Sequence, residues 1–398
     1  MSLSHLLQVE HSLQYQTASM TRRGLLCDVK ETKRQIAVLD SGIESATSRL
    51  EDIGIPASST TDAGRIALEE FLLSENCNVE RTPKSGKLKV GADSLRMAVL
   101  ESDDTAKEVV EDLVFIKQAV KVKAAYLNAF LLAAEADGRV HPAIKTMGAR
   151  THRMSISEPP LQQIPRDPMQ VDGQTADTRG CLVADPGCLL VSADYAQIEQ
   201  RVYATLAGEK DLCEAFIKGT DLHKVVATQL FGGSIEDVTP EQRQIAKTAG
   251  YLMIYGGGGR KLSISAGIPV PKAVSIVKAM KKAQSHGVSY AKSLAEQSAV
   301  TTPFGRVLPI DEARRYAALN YMVQSSARDL FVIGGVSIIK AGYGQWLWLP
   351  VHDEWILNVP EDQAERVAKE LGEIMFIDFY GTPIEAEGKV LGKRWHKG

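Results

Sequence analysis

Two aspartates stand at the ends of apolar runs. Asp194 closes "GCLLVSAD" (Gly187 to Asp194), and Asp353 sits in the polar centre of "WLWLPVHDEWILNVP" (Trp346 to Pro360). An ionised carboxylate is costly to remove from water, so buried strands rarely end in one without a reason. Two carboxylates brought to about 4 Å would repel by roughly 4 kcal/mol at an effective dielectric near 20. Protonation or a cation must relieve that repulsion. Hard oxygen ligands on rigid strands suit Mg²⁺, which keeps waters and takes one or two protein carboxylates beside substrate phosphates. Each aspartate taken alone reads more simply as a turn former, and nothing in the periodicity brings the two together.

A second set of chemical groups lies along one helix. Thr239-Pro240-Glu241-Gln242 supplies a capping residue, a proline for the first helical position and a glutamine for the capping box. A helix is therefore expected to start near Pro240. Arg243, Lys247, Tyr251 and Tyr255 follow at steps of four, each drifting about 40°, so they form one slowly winding stripe. Its basic half suits a polyphosphate and its aromatic half suits a stacked base. A solvated basic face ending in a core aromatic gives the same pattern. The stripe runs into Gly256 to Gly259. "GGGGRKLS" lacks the P-loop spacing and reads as a helix stop that lets the helix swing or another backbone approach.

The elements that must position these groups belong to a chain of 398 residues, long enough for two or three domains. Hydrophobic residues make up 44% and charged residues 24%, with a net charge of −3. That balance excludes an overall basic field, so a polyanion must be met by local patches. Two such patches occur: the loop "RTPKSGKLKVG" (Arg81 to Gly91), with Lys84 and Lys87, and a helix expected over about 105–134, with Lys117, Lys121 and Lys123. Either is an ordinary solvated surface by itself; together they suggest a surface that tracks phosphates. The five cysteines include no C-x-x-C pair, which fits free thiols in a reducing cytosol. No signal peptide is evident, and nothing approaches 18 consecutive apolar residues, so no membrane span is expected.

Residues 25–53 read as an exposed amphipathic helix and 54–64 as a turn, and the chain is irregular over 138–168. Helical patterns fill 198–280. Two strands surround the polar turn His352-Asp353-Glu354, followed by a helix over 361–376 and a short strand near Ile384.

Three blocks together resemble the family A, polymerase I–type DNA polymerases. "DYAQIEQR" (Asp194 to Arg201) resembles motif A, "RQIAKTAGYLMIYG" (Arg243 to Gly256) motif B, and "VHDE" (Val351 to Glu354) motif C, with "GTDLH" (Gly219 to His223) between the first two. "ARTHRMSISEPPLQQIP" (Ala149 to Pro165) and "NYMVQSSARDL" (Asn320 to Leu330) resemble the segments that contact template and primer. The similarity covers nearly the whole chain from about residue 20. It implies an α+β fold with right-hand architecture: a lead-in over 1–19, a thumb over 20–135, mainly helical fingers over 208–317, and a palm with an antiparallel sheet from 136–207 and 318–398.

The resemblance also implies roles. The reaction would be template-directed addition of a dNTP to a primer 3′-hydroxyl, with two Mg²⁺ ions, Mn²⁺ able to substitute, and Asp194 and Asp353 as ligands. Glu354 would support them, and His352 would be structural or a weak helper. Arg243, Lys247 and His223 would meet the triphosphate, Lys247 also serving catalysis. Tyr251 would lie against sugar and base, Tyr255 near the templating position, and Gln197 and Glu199 beside the nucleotide. Glutamate at 199 in DNA-making members blocks a 2′-hydroxyl, which argues against an RNA polymerase. Arg153, Gln162, Asn320, Gln324, Lys84, Lys87 and Lys121 would contact DNA, and Arg201 would be structural. The partners implied are primer–template DNA, dNTPs and a separate exonuclease or replisome protein, in the cytoplasm of a bacterial or phage-infected cell. With about 20 residues before the thumb, no proofreading domain is expected on this chain.

The chain departs from the family pattern at Ala196 (usually Ser), Gln200 (Leu), Gly250 (Asn) and Leu252 (Gly). "SSARDL" replaces "GTAADL", Tyr316 stands where a basic residue is expected, and Tyr251 replaces the more frequent Phe.

Overall fold

The apolar runs flanking the two aspartates pair with each other. The computed structural model describes residues 3–396. Its central sheet contains β1 (Cys188–Tyr195), β2 (Leu347–Val351), β3 (Glu354–Pro360) and β4 (Ala386–Gly392) in the order β2-β3-β1-β4, antiparallel throughout. The first three strands are hydrophobic on both faces because both are covered over most of their length.

One face packs against two helices, Ala318–Ile338 and Ala364–Met375. Trp355 stacks on Phe331, with ring centroids 4.6 Å apart, and its indole N–H donates to the Phe331 carbonyl at 3.1 Å. Gly335 permits this contact, since a Cβ there would strike the indole. On the other face Leu190, Ser192 and Asp194 share one side of β1. The Leu190 end is sealed by Trp348, Trp395 and Ile356. The Asp194 end opens to a cavity.

The N-terminal lobe comprises α1 (Leu3–Arg23), α2 (Val29–Asp52), α3 (Asp62–Ser74), α4 (Ala92–Ala98), α5 (Asp104–Val122) and α6 (Asn128–Ala133). α2 begins where the Asp28 carboxylate accepts from the Glu31 N–H at 2.9 Å. Just before it, Leu25–Cys27 forms a short strand rather than the first turn of a helix. The helix expected to about residue 134 is present but includes a π-helical segment, Lys123–Leu127.

α1 includes most of what the sequence offered only as a lead-in. Leu13 and Met20 are buried in the main core. Glu10 accepts from Arg306 and from Arg328, the latter at 2.9 Å. Residues 1 and 2 of that segment, and 397 and 398 of the expected palm, lie outside the described residues.

The second lobe consists of α7 (Ile198–Ala207), α8 (Lys210–Ile217), α9 (Leu222–Phe231), α10 (Pro240–Ile254), α11 (Gly259–Ala266), α12 (Val270–Ala283) and α13 (Ser285–Ala295). The two helices behind the sheet are α14 (Ala318–Ile338) and α15 (Ala364–Met375). Among the described residues one helical stretch, Glu312–Trp346, is long and apolar enough to cross a membrane, but 78% of its apolar window is buried inside the fold.

The turn between β2 and β3 is tighter than expected. Glu354 already pairs with Val351 and Asp194, leaving His352 and Asp353 to make the bend, with His352 at φ +53°. The last helix starts at Ala364 rather than 361, after the turn that follows β3.

Candidate active site

Antiparallel register brings the acidic groups together. Glu354 on β3 lies directly opposite Asp194 on β1, and Glu387 on β4 lies opposite Asp194 on its other side. The Tyr195 N–H donates to the Asp353 carbonyl at 3.1 Å, which fixes the bend beside the end of β1. Asp194, Asp353, Glu354 and Glu387 line one cavity of about 580 Å³ with Gln197 and Tyr251.

Like charges placed opposite each other destabilise a sheet, and the acids show it. Desolvation, then the charges of Glu354 and Asp353, push the Asp194 carboxyl up to about 7. Burial and Glu199 push Asp353 up to about 6, although the Arg153 guanidinium, 3.8 Å away, draws it down. Burial also raises Glu354, opposed by a hydrogen bond from the Ser192 hydroxyl and by the charge of Arg179. Among the described residues no three His, Cys, Asp or Glu side chains converge as a ready-made metal cage. Two carboxylates at the edge of a roomy cavity instead fit a hard ion that brings its own waters and phosphate oxygens, as Mg²⁺ does.

The stripe occupies α10. Thr239 and Gln242 form the expected capping box, with bonds of 3.2 and 3.0 Å. Arg243 is held by Asp221 at 2.7 Å, and the same carboxylate caps α9 through the His223 and Lys224 N–H groups. His223 is buried below them. Burial first, then the Arg243 charge, lower its imidazole to about 4, so it is neutral at pH 7. Lys247 follows half-buried on the same stripe. Tyr251 reaches the cavity, and burial and the charges of Glu199, Asp353 and Asp194 raise its phenol.

Tyr255 terminates the helix and donates its hydroxyl to Glu199 at 2.6 Å. Gln324, on α14, bonds the same hydroxyl. Glu199 is buried in the first turn of α7 and also accepts from Arg153. Arg153 thus bridges Glu199 towards Asp353. Gln197 precedes α7 in the left-handed region, at φ +55°. One turn before Gln324, the Asn320 amide Nδ2 is buried without a hydrogen-bond partner. Gln162 lies on a short turn whose backbone bonds the His352 ring.

The three lysines assigned to DNA lie away from the carboxylate cavity. Lys84 is exposed in a hairpin loop, Lys87 pairs with Asp62 at 2.6 Å, and Lys121 borders a separate cavity of about 500 Å³ under α5.

The sequence profile described as DNA polymerase family A matches residues 30–397. The chain belongs to that family. It is 31% identical over 377 residues to the DNA polymerase of Mycobacterium phage L5, covering 93% of this chain and 59% of that protein. It is 31% identical over 394 residues to the thermostable DNA polymerase I of Thermus thermophilus, covering 92% and 45%. It therefore spans about half the length of these relatives. The fold matches the solved POL domain of Pol1 from M. smegmatis, in complex with DNA primer-template and dNTP. The TM-score is 0.81 and the identity 25%, over 98% of this chain and 70% of that one.

Against family A pattern, two departures meet each other. A Cβ on Gly250 of α10 would lie 3.4 Å from the amide nitrogen of Gln200 on α7, and that nitrogen is buried without a partner. The longer polar side chain at 200 occupies space that a side chain at 250 would need. Arg328, new in "SSARDL", is neutralised by Glu10. Arg201 is built into the fold: it donates to the Ala196 carbonyl at 2.8 Å, pairs with Glu385 at 2.8 Å and lies 4.6 Å over the Phe216 ring.

The glycine run serves packing as well as turning. Gly256 adopts φ +69°, a Cβ on Gly257 would come within 2.5 Å of Leu252, and one on Gly259 within 2.8 Å of the Val274 backbone. Only Gly258 faces open space.

Sequence reasoning missed Asp221, Glu387, Arg166 and Arg179, the last three of which line the cavity. The "EAE" alternation after Ile384 was the available signal for Glu387, since period two places both glutamates on one face.

Proposed function

We propose that this chain carries out template-directed DNA synthesis, adding dNTPs to a primer 3′-hydroxyl. The observation that carries this reading is the Glu354–Asp194 register pair beside Asp353, in a cavity that Tyr251 of the α10 stripe also lines. The primer 3′-oxygen attacks the α-phosphorus as the bond to the β-phosphate oxygen breaks, and pyrophosphate leaves. Asp194 and Asp353 would hold two Mg²⁺ ions, which when bound make the primer hydroxyl a better nucleophile and neutralise phosphate charge.

The rest falls to the protein's own groups. Arg243, pre-oriented by Asp221, and Lys247 grip the triphosphate, and Lys247 is placed to donate a proton to the leaving pyrophosphate. Neutral His223 donates a hydrogen bond rather than a charge. Tyr251 lies against sugar and base. The Tyr255–Glu199 pair closes the space that a 2′-hydroxyl would need, which favours dNTPs over rNTPs. Asn320 and Gln324 read the primer–template from α14.

In this reading 20–135 form the thumb, 208–317 the fingers, and 136–207 with 318–398 the palm. The whole described fold is then used for synthesis, and none of these residues excises a mispaired terminus. A separate exonuclease or replisome protein is a fitting partner, inside a bacterial or phage-infected cell.

Extension of a labelled primer–template by the purified chain, with Mg²⁺ and either dNTPs or rNTPs, tests the proposal. Stepwise, template-matched extension with dNTPs is expected. Preferential use of rNTPs would move the chain to RNA synthesis and remove the role given to Glu199. Binding without extension would make it a binding module.

A further inference from the structure

The tip of the N-terminal lobe touches the second lobe. Arg260, in the first turn of α11, pairs with Glu80 at 2.8 Å. Glu80 lies in the hairpin segment before α4, where Lys89 and the Ser94 hydroxyl (3.3 Å) also hold it. α11 packs beside α4 at the same place. The contact is otherwise loose. A cavity of about 710 Å³ separates Asn78, Ser94 and Met97 on one side from Arg260, Ser263 and Val270 on the other.

The position of this pair gives it a consequence. At its base, α2 packs on the strands Met169–Val171 and Gln174–Ala176 beside the central sheet. The second lobe returns to the sheet region where α7 packs on α14. The Arg260–Glu80 contact therefore closes a circuit of sheet, first lobe, second lobe and sheet. Arg260 is also only five residues after Tyr255, across the glycine turn from the helix that faces the carboxylate cavity. Gly257 and Gly259 pack tightly against Leu252 and Val274, so the turn joins α10 to α11 and α12 closely rather than loosely.

We infer that Arg260 and Glu80 are positioning residues that bridge thumb and fingers around the primer–template and slow its release between successive additions. This rests on the polymerase reading above. An exposed ion pair is individually weak and screened by salt. Such a contact can open to admit DNA and re-form behind it, and a cavity-bearing interface opens more readily than a packed one.

The test compares wild type, Arg260→Ala, Glu80→Ala, the double variant and Arg260→Glu. Two readouts are taken: nucleotides added per DNA encounter in the presence of a trap, and single-nucleotide kcat/KM. The dissociation rate of a fluorescent primer–template is measured alongside. On the scale of exposed ion pairs, each alanine variant is expected to dissociate about threefold faster and to lose processivity to match. Single-nucleotide kcat/KM stays at the wild-type value. The double variant is expected to be no worse than either single one, as coupling requires, and Arg260→Glu to be worse than Arg260→Ala. Wild-type release and processivity in Arg260→Glu would overturn the bridge, as would losses that multiply in the double variant or a matching fall in single-nucleotide kcat/KM. Wild-type protein that neither binds nor extends primer–template would instead overturn the polymerase reading, and the bridge with it.

Discussion

Glu354 and Asp194 face each other across two antiparallel strands, at the end of the sheet that opens to a cavity. Asp194 then meets a third carboxylate, Glu387, on its far side. The apolar end of the same face carries Leu190 and Ile356, which stabilise the sheet by burial. Stability and chemistry are thus divided along the length of β1.

The buried imidazole of His223 carries a pH signature. The folded value of His223, about 4, lies below its ordinary 6.5. Between these values the unfolded chain binds a proton that the native chain does not. Stability is therefore fully present above about pH 6.5 and falls as pH drops towards 4. Urea unfolding at pH 7 and pH 5 is expected to show a loss of roughly 1–2 kcal/mol from this group. His223→Gln should remove that part of the difference. An unchanged acid slope in the variant would show that His223 is not buried as a neutral imidazole.

The N-terminal helix should be needed for the palm. Arg328 is 1% exposed and Arg306 8% exposed at the side chain, and both depend on Glu10, with Asp329 completing the cluster. Removing one partner of a buried ionic cluster strands the others. Glu10→Ala is expected to cost about 3 kcal/mol in urea unfolding. A change below about 0.5 kcal/mol would place the cluster in the ordinary surface class.

In the proposed function Tyr251 takes a role that phenylalanine would not fill. Tyr251 lines the cavity beside Asp194 and Asp353, and with the nucleotide sugar bound there its hydroxyl would make the hydrogen bond that a missing 3′-hydroxyl would otherwise supply. One such bond corresponds to about a tenfold change in selectivity. Tyr251→Phe is expected to raise discrimination against dideoxynucleotides by about that factor, read as the ratio of kcat/KM for dNTP and ddNTP. Strong discrimination already present in the wild-type protein would contradict this.

Much of this site was legible because its signals are local. The capping box at Thr239 fixed where α10 starts, and steps of four fixed which residues share its face. Apolar runs identified β1, β2 and β3. What local pattern cannot carry is register. That Glu354 rather than Asp353 lies opposite Asp194, and that Glu387 joins them, follows from strand pairing between segments far apart in the chain. Arg153 was named as a DNA contact, but its pairing escaped for the same reason: its partners Glu199 and Asp353 come from two other elements. α1 was missed because its buried face carries polar residues, with Glu10 and Gln16 bonded to distant groups.

The central claim is that Asp194 and Asp353 do their chemistry together with a divalent cation. Single-turnover primer extension by wild type, Asp194→Asn and Asp353→Asn tests it most directly, with Mg²⁺ varied and primer–template binding measured in parallel. The account predicts that both variants bind primer–template as wild type does while extension falls by about a thousandfold or more, the scale of losing a principal electrostatic group in catalysis. Extension within about tenfold of wild type in either variant, or wild-type extension that proceeds unchanged when Mg²⁺ is removed by chelation, would contradict it.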